Sequence, residues 1–108
     1  MAQDFRNVKA SARGTTAAAL FTAGDYDAVI GIRCTNILTT TIKVDIYIVN
    51  GGTNHYIAKS TPIPPGGSIE LIQGGAKIVM VNGDVLWHDV DTASGLDMWV
   101  SYIDAVSE

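Results

Sequence analysis

The alternation of hydrophobic and polar positions along this chain predicts a series of short strands. It is clearest over 41–48, where Ile42, Val44, Ile46 and Ile48 are separated by polar or amphipathic residues. A period of two is typical of a strand that has one buried side and one side in water. The segment therefore predicts a strand whose even-numbered positions face a core.

The same period recurs, less regularly, before and after this segment. Further positions expected to face the core are Ala28, Ile30, Ile32 and Cys34, then Ile69 and Leu71, and finally Leu96, Met98, Val100 and Tyr102. In this phasing Asp27, Arg33 and Thr35 lie on the outer side of their strand, because neighbouring residues of a strand point to opposite faces. The closing segment is thus predicted to be a core strand.

Three more segments are expected to form strands. Those at 55–60 and 77–81 are short and lie next to turn signals. The segment 85–90 leaves two inner faces open, either Val85 with Trp87 or Leu86 with His88 and Val90. Its hydrophobic residues are too closely spaced for the period to choose between them.

Residues that favour turns separate the predicted strands. Turns are expected at 36–40, 50–54, 73–75, 82–84 and 91–95. The prolines within 61–67 cannot donate ladder hydrogen bonds, so that segment should cross over or lie at a sheet edge. About seven or eight short strands, with turns roughly every 8–12 residues, indicate an all-β fold: a single antiparallel β-sandwich of jelly-roll or immunoglobulin-like type.

The beginning of the chain lacks this pattern. Residues 1–14 are mostly polar, so we expect an extended N-terminal arm over 1–14 and a β-sandwich domain over 15–108. Residues 1–13 contain no apolar run, so a secretory signal is not expected. The segment 15–23 could begin a helix at 17–20 or form a first strand, and the helix would be too short to be stable alone. We favour the strand.

Composition narrows the classes of partner. The chain has 108 residues, a formal net charge of −4 and a charged fraction of 17%, against a usual value of about 25%. Its seven Lys and Arg are scattered along the sequence. Without a basic stripe we expect neither nucleic acid nor an anionic membrane surface as a partner. The low charge suggests that copies of the chain or other proteins cover part of the surface.

Few side chains suggest chemistry. His88 precedes Asp89, but neighbouring strand residues point to opposite faces and cannot chelate one ion together. We expect His88 to be a half-exposed strand histidine, and His55 lies beside a turn. Asp25 and Asp27 fit a role as turn residues that accept hydrogen bonds from backbone amides.

The single cysteine also fits a structural role. Cys34 shares a predicted face with Ile30 and Ile32, where a cysteine is usually a small, unreactive core residue. We therefore expect a non-enzymatic protein with no catalytic residue, no metal site and no cofactor.

Aromatic residues on outer faces suggest contacts instead. Tyr47 and Trp99 fall on the outer sides of their strands, and Ile103 lies on the same side as Trp99. Such rings can form a protein interface, receive local cover or stack on sugars. Together with Phe5 and Arg6 of the predicted arm, they are the candidate interface residues.

Several motifs resemble those of small virion structural proteins of tailed bacteriophages, of the type found in phages of marine bacteria and cyanobacteria. They are 61–71 with its Pro-Ile-Pro-Pro-Gly-Gly-Ser run, 77–79, 82–86, 91–93 and 96–101. The resemblance spans about residues 26 to 103. Pro65 stands where a small residue is usual, and Trp87 and His88 replace a polar and apolar pair.

The resemblance implies a compact β-sandwich that assembles in repeated copies on a virion built in the host cytoplasm. The implied partners are further copies of the chain, as a trimer or ring, and other virion proteins such as the major capsid protein or tail and neck proteins. Capsid decoration and a neck or tail position both fit. The alternative hypothesis is a carbohydrate-binding module of an adsorption fibre, which would use Trp99 or Tyr47.

Overall fold

A computed structural model describes residues 4–24, 26–72 and 77–104. Within these ranges the chain forms nine strands and no helix, so none of its segments is a helix that could cross a membrane. The strands are β1 Asp4–Arg13, β2 Ala18–Thr22, β3 Tyr26–Asn36, β4 Ile42–Asn50, β5 Thr53–Ile63, β6 Ser68–Glu70, β7 Ile78–Val81, β8 Val85–Val90 and β9 Leu96–Asp104.

The strands make two antiparallel sheets. The first sheet has the order β1-β9-β3, and β6 and β7 both pair with β3 along its other edge. The second sheet has the order β2-β8-β4-β5. The predicted all-β sandwich is confirmed, with nine described strands in place of seven or eight.

Apolar residues from the facing sides of both sheets form the core. The inner positions of β4 and β9 are those that the alternation predicts: Ile42, Val44 and Ile46 are buried, as are Leu96, Met98 and Val100. In β8 the inner face consists of Leu86, His88 and Val90. The choice that the sequence left open is thereby settled, since burying Leu86 and Val90 removes two large apolar side chains from water.

The predicted inner face of β3 is wrong in its first half. A bulge between Val29 and Gly31 shifts the register against β9. Asp27 and Val29 are consequently buried, whereas Ile30 is only half-buried. Because strand residues alternate in direction, one extra residue reverses the face of everything before it. The second half, with Ile32 and Cys34 inward, is as predicted.

The predicted free arm is also wrong. Residues 4–13 are extended, but they form the edge strand β1, which pairs with β9 from Asp4↔Asp104 to Arg13↔Leu96. Val8 and Ala10 of β1 pack against the core. The boundary predicted at 14/15 therefore separates no independent unit. The sequence alone did not predict this strand, because its partner β9 lies at the opposite end of the chain.

The remaining local predictions mostly hold. The segment 15–23 contains the strand β2, β5 is an edge strand that includes Pro62, and 82–84 turns with Gly83 at φ 95°. The strand β5 is longer than the predicted 55–60. The turn at 73–75 and the side chain of Asp25 lie outside the described residues.

Two edge strands carry the same bulge, held in the same way. In β1, Ser11 and Ala12 stand opposite Asp97, and in β5, Lys59 and Ser60 stand opposite Asp45. The second residue of each bulge has positive φ, 51° at Ala12 and 49° at Ser60. Its backbone N–H donates to the opposite carboxylate over 2.7 Å in both cases. Each aspartate thereby stabilises a conformation that costs a non-glycine residue energy.

Candidate docking face on the first sheet

The outer face of the first sheet carries a row of apolar residues across four strands. Register places Phe5 of β1 opposite Ile103 of β9, Ile103 opposite Ala28 of β3, and Ala28 opposite Val79 of β7. Phe5 is 77% exposed and Val79 is 62% exposed. We call these four residues the apolar row. Cross-strand neighbours lie about 5 Å apart. Ile103 is half-buried and Ala28 is buried, so Phe5 and Val79 carry most of the row's exposed surface.

The apolar surface extends one step beyond the row. Tyr26 stands opposite Val81 at the end of β3, and both side chains are exposed. Neither position carries a charge. Exposed apolar residues that lie singly are common on protein surfaces, whereas large contiguous apolar patches are typical of interaction sites.

A second row on the same face combines a ring with two cations. Lys9 of β1 and Arg33 of β3 flank Trp99 of the central strand β9. Trp99 is 49% exposed, and Lys9 Nζ lies 5.3 Å from its ring centroid. Arg33 Nε lies 3.8 Å from a Glu70 carboxylate oxygen. A row of small or polar residues separates the two rows, formed by Asn7, Ser101 and Gly31.

A groove lies beside this second row, next to the bulge in β1. The open space measures about 530 Å³. Its lining includes Lys9, Ser11, Arg13, Arg33, Thr35, Asp97 and Trp99. We call it the Trp99 groove. It lies at the other end of the face from the apolar row, because Lys9 is four residues after Phe5 on β1, two outward-facing positions further along.

On the outer face of the second sheet, the central ring of Tyr47 is covered by its neighbours, while Tyr56 itself is 46% exposed. Tyr47 is only 8% exposed, because Tyr56 lies on one side at 5.1 Å and Trp87 on the other at 6.3 Å between ring centroids. Burial, with the nearby Asp89 carboxylate, raises the pKa of the Tyr47 hydroxyl. Tyr47 is on the predicted outer side, but it does not offer a free surface for a partner or a sugar.

The structure thus brings together three of the five predicted interface residues. Phe5, Trp99 and Ile103 share the outer face of the first sheet. Arg6 belongs to the same edge strand, where its Nε donates to Asp104 over 3.0 Å in an exposed ion pair. Such a pair contributes little to stability.

Sequence reasoning missed Val79, Val81 and Tyr26. The segment 78–81 is apolar at every position. Alternation therefore could not show which of its residues point outward.

One histidine is buried and the other is exposed. His88 has an exposed fraction of 0%, and neither of its ring nitrogens has a hydrogen-bond partner among the described residues. The expectation of a half-exposed histidine is therefore wrong, because the inward phase of β8 points the ring into the core. His55 is an exposed residue of β5.

Asp27 and Cys34 both have structural roles. Asp27 accepts a hydrogen bond from the backbone N–H of Gly24 over 3.0 Å, the turn role that was expected. Burial raises the pKa of the Cys34 thiol to about 12, as fits an unreactive core residue. Among the described residues no group of three or more His, Cys, Asp or Glu could hold a metal ion.

No family model, curated protein or solved structure matches the chain. The resemblance to virion structural proteins therefore stays a prediction, and the two outer faces are the basis for a functional proposal.

Proposed function

We propose that this protein is a non-enzymatic structural subunit that assembles with further copies of itself through the apolar row, as a component of a tailed-phage virion. The observation that supports this most is the contrast between its two outer faces. On the second sheet the central ring, Tyr47, is covered by its neighbours. On the first sheet, Phe5 and Val79 remain exposed at the two ends of the apolar row.

A second copy is the occupant that fits this surface. The apolar row contains no charged residue, so it is complementary to itself across a two-fold axis, the commonest symmetry of homo-oligomers. Interface cores are depleted of charge in the same way. Burying apolar area stabilises the contact by roughly 25 cal/mol per Å². The Lys9 and Arg33 row would then lie outside the contact.

The proposed place in a virion depends on the resemblance of 61–71 and 96–101 to phage structural proteins. A particle component needs a rigid small core, a surface for neighbours and no reaction centre. Both capsid decoration and a neck or tail position stay open within this proposal.

Paired substitutions test the apolar row. The double variant Phe5→Thr with Val79→Thr removes most of the exposed apolar area while keeping residues that favour strands. Its mass by light scattering should fall to that of the single chain, whereas the wild-type protein should form a larger species. Ile37→Thr is the matched control, because Ile37 is an exposed aliphatic residue in the loop after β3. A wild-type protein that is monomeric at every concentration would refute self-assembly.

Particle analysis tests the virion assignment separately. Phage particles purified from a culture that carries this gene should contain the chain in many copies, as measured by quantitative mass spectrometry. Its absence from purified particles, with the protein abundant in the lysate, would remove the virion assignment and leave the self-assembly result untouched.

A further inference from the structure

We propose that the Trp99 groove binds a saccharide that carries a carboxylate, such as a uronic acid or a sialic acid. This site goes beyond assembly through the apolar row and does not depend on it.

The groove is a built feature of the backbone. The two-residue bulge in β1 borders the groove, and the Asp97 carboxylate holds the bulge by accepting the Ala12 N–H over 2.7 Å. Its floor belongs to the central strand β9, which has a neighbour on each side. A ligand would therefore meet a preformed surface, which lowers the entropic cost of binding.

Trp99 supplies a platform at the centre of this surface. Its ring is 49% exposed although the residue lies on a central strand. The apolar C–H face of a pyranose packs on such a ring, while the hydroxyl groups at its rim need hydrogen-bonding partners. Ser11 and Thr35 line the same groove and carry hydroxyls.

The charge around the ring favours an anion. Lys9 and Arg33 flank the ring on the outer face, and the carboxylate of Asp97 lines the same groove. Arg13 also borders the groove, but it stands opposite the core residue Leu96 and its Nε is buried. Glu70 offsets part of the Arg33 charge from 3.8 Å. Both carboxylates accept backbone N–H groups, whereas the Arg33 side chain is 58% exposed. Two cations on either side of an exposed ring are suited to a ligand carboxylate, which arginine binds in a planar, two-pronged geometry.

This cluster was invisible in the sequence. Lys9 and Arg33 are far apart along the chain and become neighbours only because β1 and β3 both pair with β9. Two cations beside one ring are too few for a nucleic-acid backbone, whose binding depends on many phosphate contacts. They do match one carboxylate on one sugar.

The site and the docking surface are separable. Asn7, Ser101 and Gly31 lie between the apolar row and the groove. A copy docked over Phe5 and Val79 would leave the Trp99 ring accessible. Loss of self-assembly and loss of saccharide binding are therefore distinct outcomes, each with its own variants.

Titration of the full chain, followed by two-dimensional NMR of the tryptophan indole N–H groups, tests the site. The acidic probes are trigalacturonic acid and sialyllactose, which distinguish a uronic from a sialic source. The neutral controls are the methyl ester of the first and lactose for the second. The Trp99 signal should shift with at least one acidic probe, while the half-buried Trp87 reports any general effect. A Trp87→Phe variant assigns the two signals.

Charge variants give the decisive comparison. Lys9→Gln and Arg33→Gln should each weaken binding of the acidic probe about tenfold, the effect of losing one charge-assisted contact. Lys43→Gln is the matched control, because it removes the same charge from the second sheet. Binding should also weaken with added salt.

Three results would overturn the site. The first is no shift of the Trp99 signal with either acidic probe. The second is equal affinity for the neutral controls. The third is tighter binding of a glutamate-rich peptide or of single-stranded DNA, since each would assign the groove to another class of ligand.

Discussion

Asn36 shows how one buried polar side chain joins several parts of the fold. Its exposed fraction is 0%, and its amide nitrogen lies within 3.1 Å of the carbonyl oxygens of Thr40, Ile63 and Pro64. Its side-chain oxygen accepts the N–H of Leu38 over 2.9 Å. The residue thereby links the end of β3 to the following loop and to the end of β5. The sequence predicted only a turn here, because these partners are set by the tertiary fold.

Substituting Asn36 should separate its donor role from its packing. Asn36→Ala should lower the free energy of unfolding by about 2 kcal/mol, since it leaves buried carbonyls unsatisfied. Asn36→Asp should cost more, about 3–5 kcal/mol, because it places a carboxylate against those oxygens. Urea denaturation measures both. Asn82→Asp, in an exposed turn, is the control and should change stability by less than about 0.5 kcal/mol. Similar stabilities for Asn36→Asp and the wild type would contradict this role.

His88 is the second residue whose burial has a measurable consequence. Burial lowers the pKa of its imidazole, the positive charge of Arg13 lowers it further, and Asp89 opposes them. In the unfolded chain an imidazole titrates near pH 6.5. The unfolded state therefore binds more protons than the folded state as the pH falls below that value. Stability is complete above about pH 6.5 and declines on acidification towards the lowered folded pKa.

Thermal unfolding as a function of pH tests this. Between about pH 7.5 and 5 the wild-type protein should lose stability with a slope of at most about 1.4 kcal/mol per pH unit, the limit for one proton. His88→Leu should flatten that slope, and His55→Gln, at an exposed histidine, should leave it unchanged. An equally steep slope in His88→Leu would show that another group is responsible.

At the scale of elements, a strand was predictable where its own alternation shows one apolar side. It was not predictable where a bulge or a partner far along the chain decides its structure. Alternation was enough for β4 and β9, since each has one clearly apolar side. It failed in β3, where the bulge before Gly31 reverses the inner face. It also missed β1, whose polar sequence becomes a strand only through pairing with β9.

Removing β1 should therefore damage the domain. A chain lacking 1–13 would expose the backbone edge of β9 and uncover part of the core at Val8 and Ala10. We expect it to aggregate or to lose cooperative unfolding by circular dichroism. A peptide of residues 4–13 added in trans should restore the transition, and a scrambled peptide of the same composition should not. A truncated protein that melts cooperatively within about 2 °C of the full chain, with no peptide added, would show that the domain does not need β1 for stability.

At the scale of the molecule, the two outer faces have different relations to water. The second sheet covers Tyr47 with Tyr56 and Trp87. The first sheet leaves Phe5 and Val79 exposed. The sequence indicated that Tyr47 and Trp99 lie on outer faces, yet it could not show which of the two rings is covered by neighbouring side chains. That distinction depends on cross-strand register, which combines residues from β1, β3, β7 and β9.

The most direct test of assembly through the apolar row is the water exposure of its methyl groups. With methyl-labelled protein and a soluble paramagnetic probe, relaxation at Val79 and Ile103 should fall as the chain concentration rises, while that of Ile37 should stay constant. Such protection would mean that a second copy covers the row. Equal relaxation of all three residues at every concentration would contradict the proposed docking face.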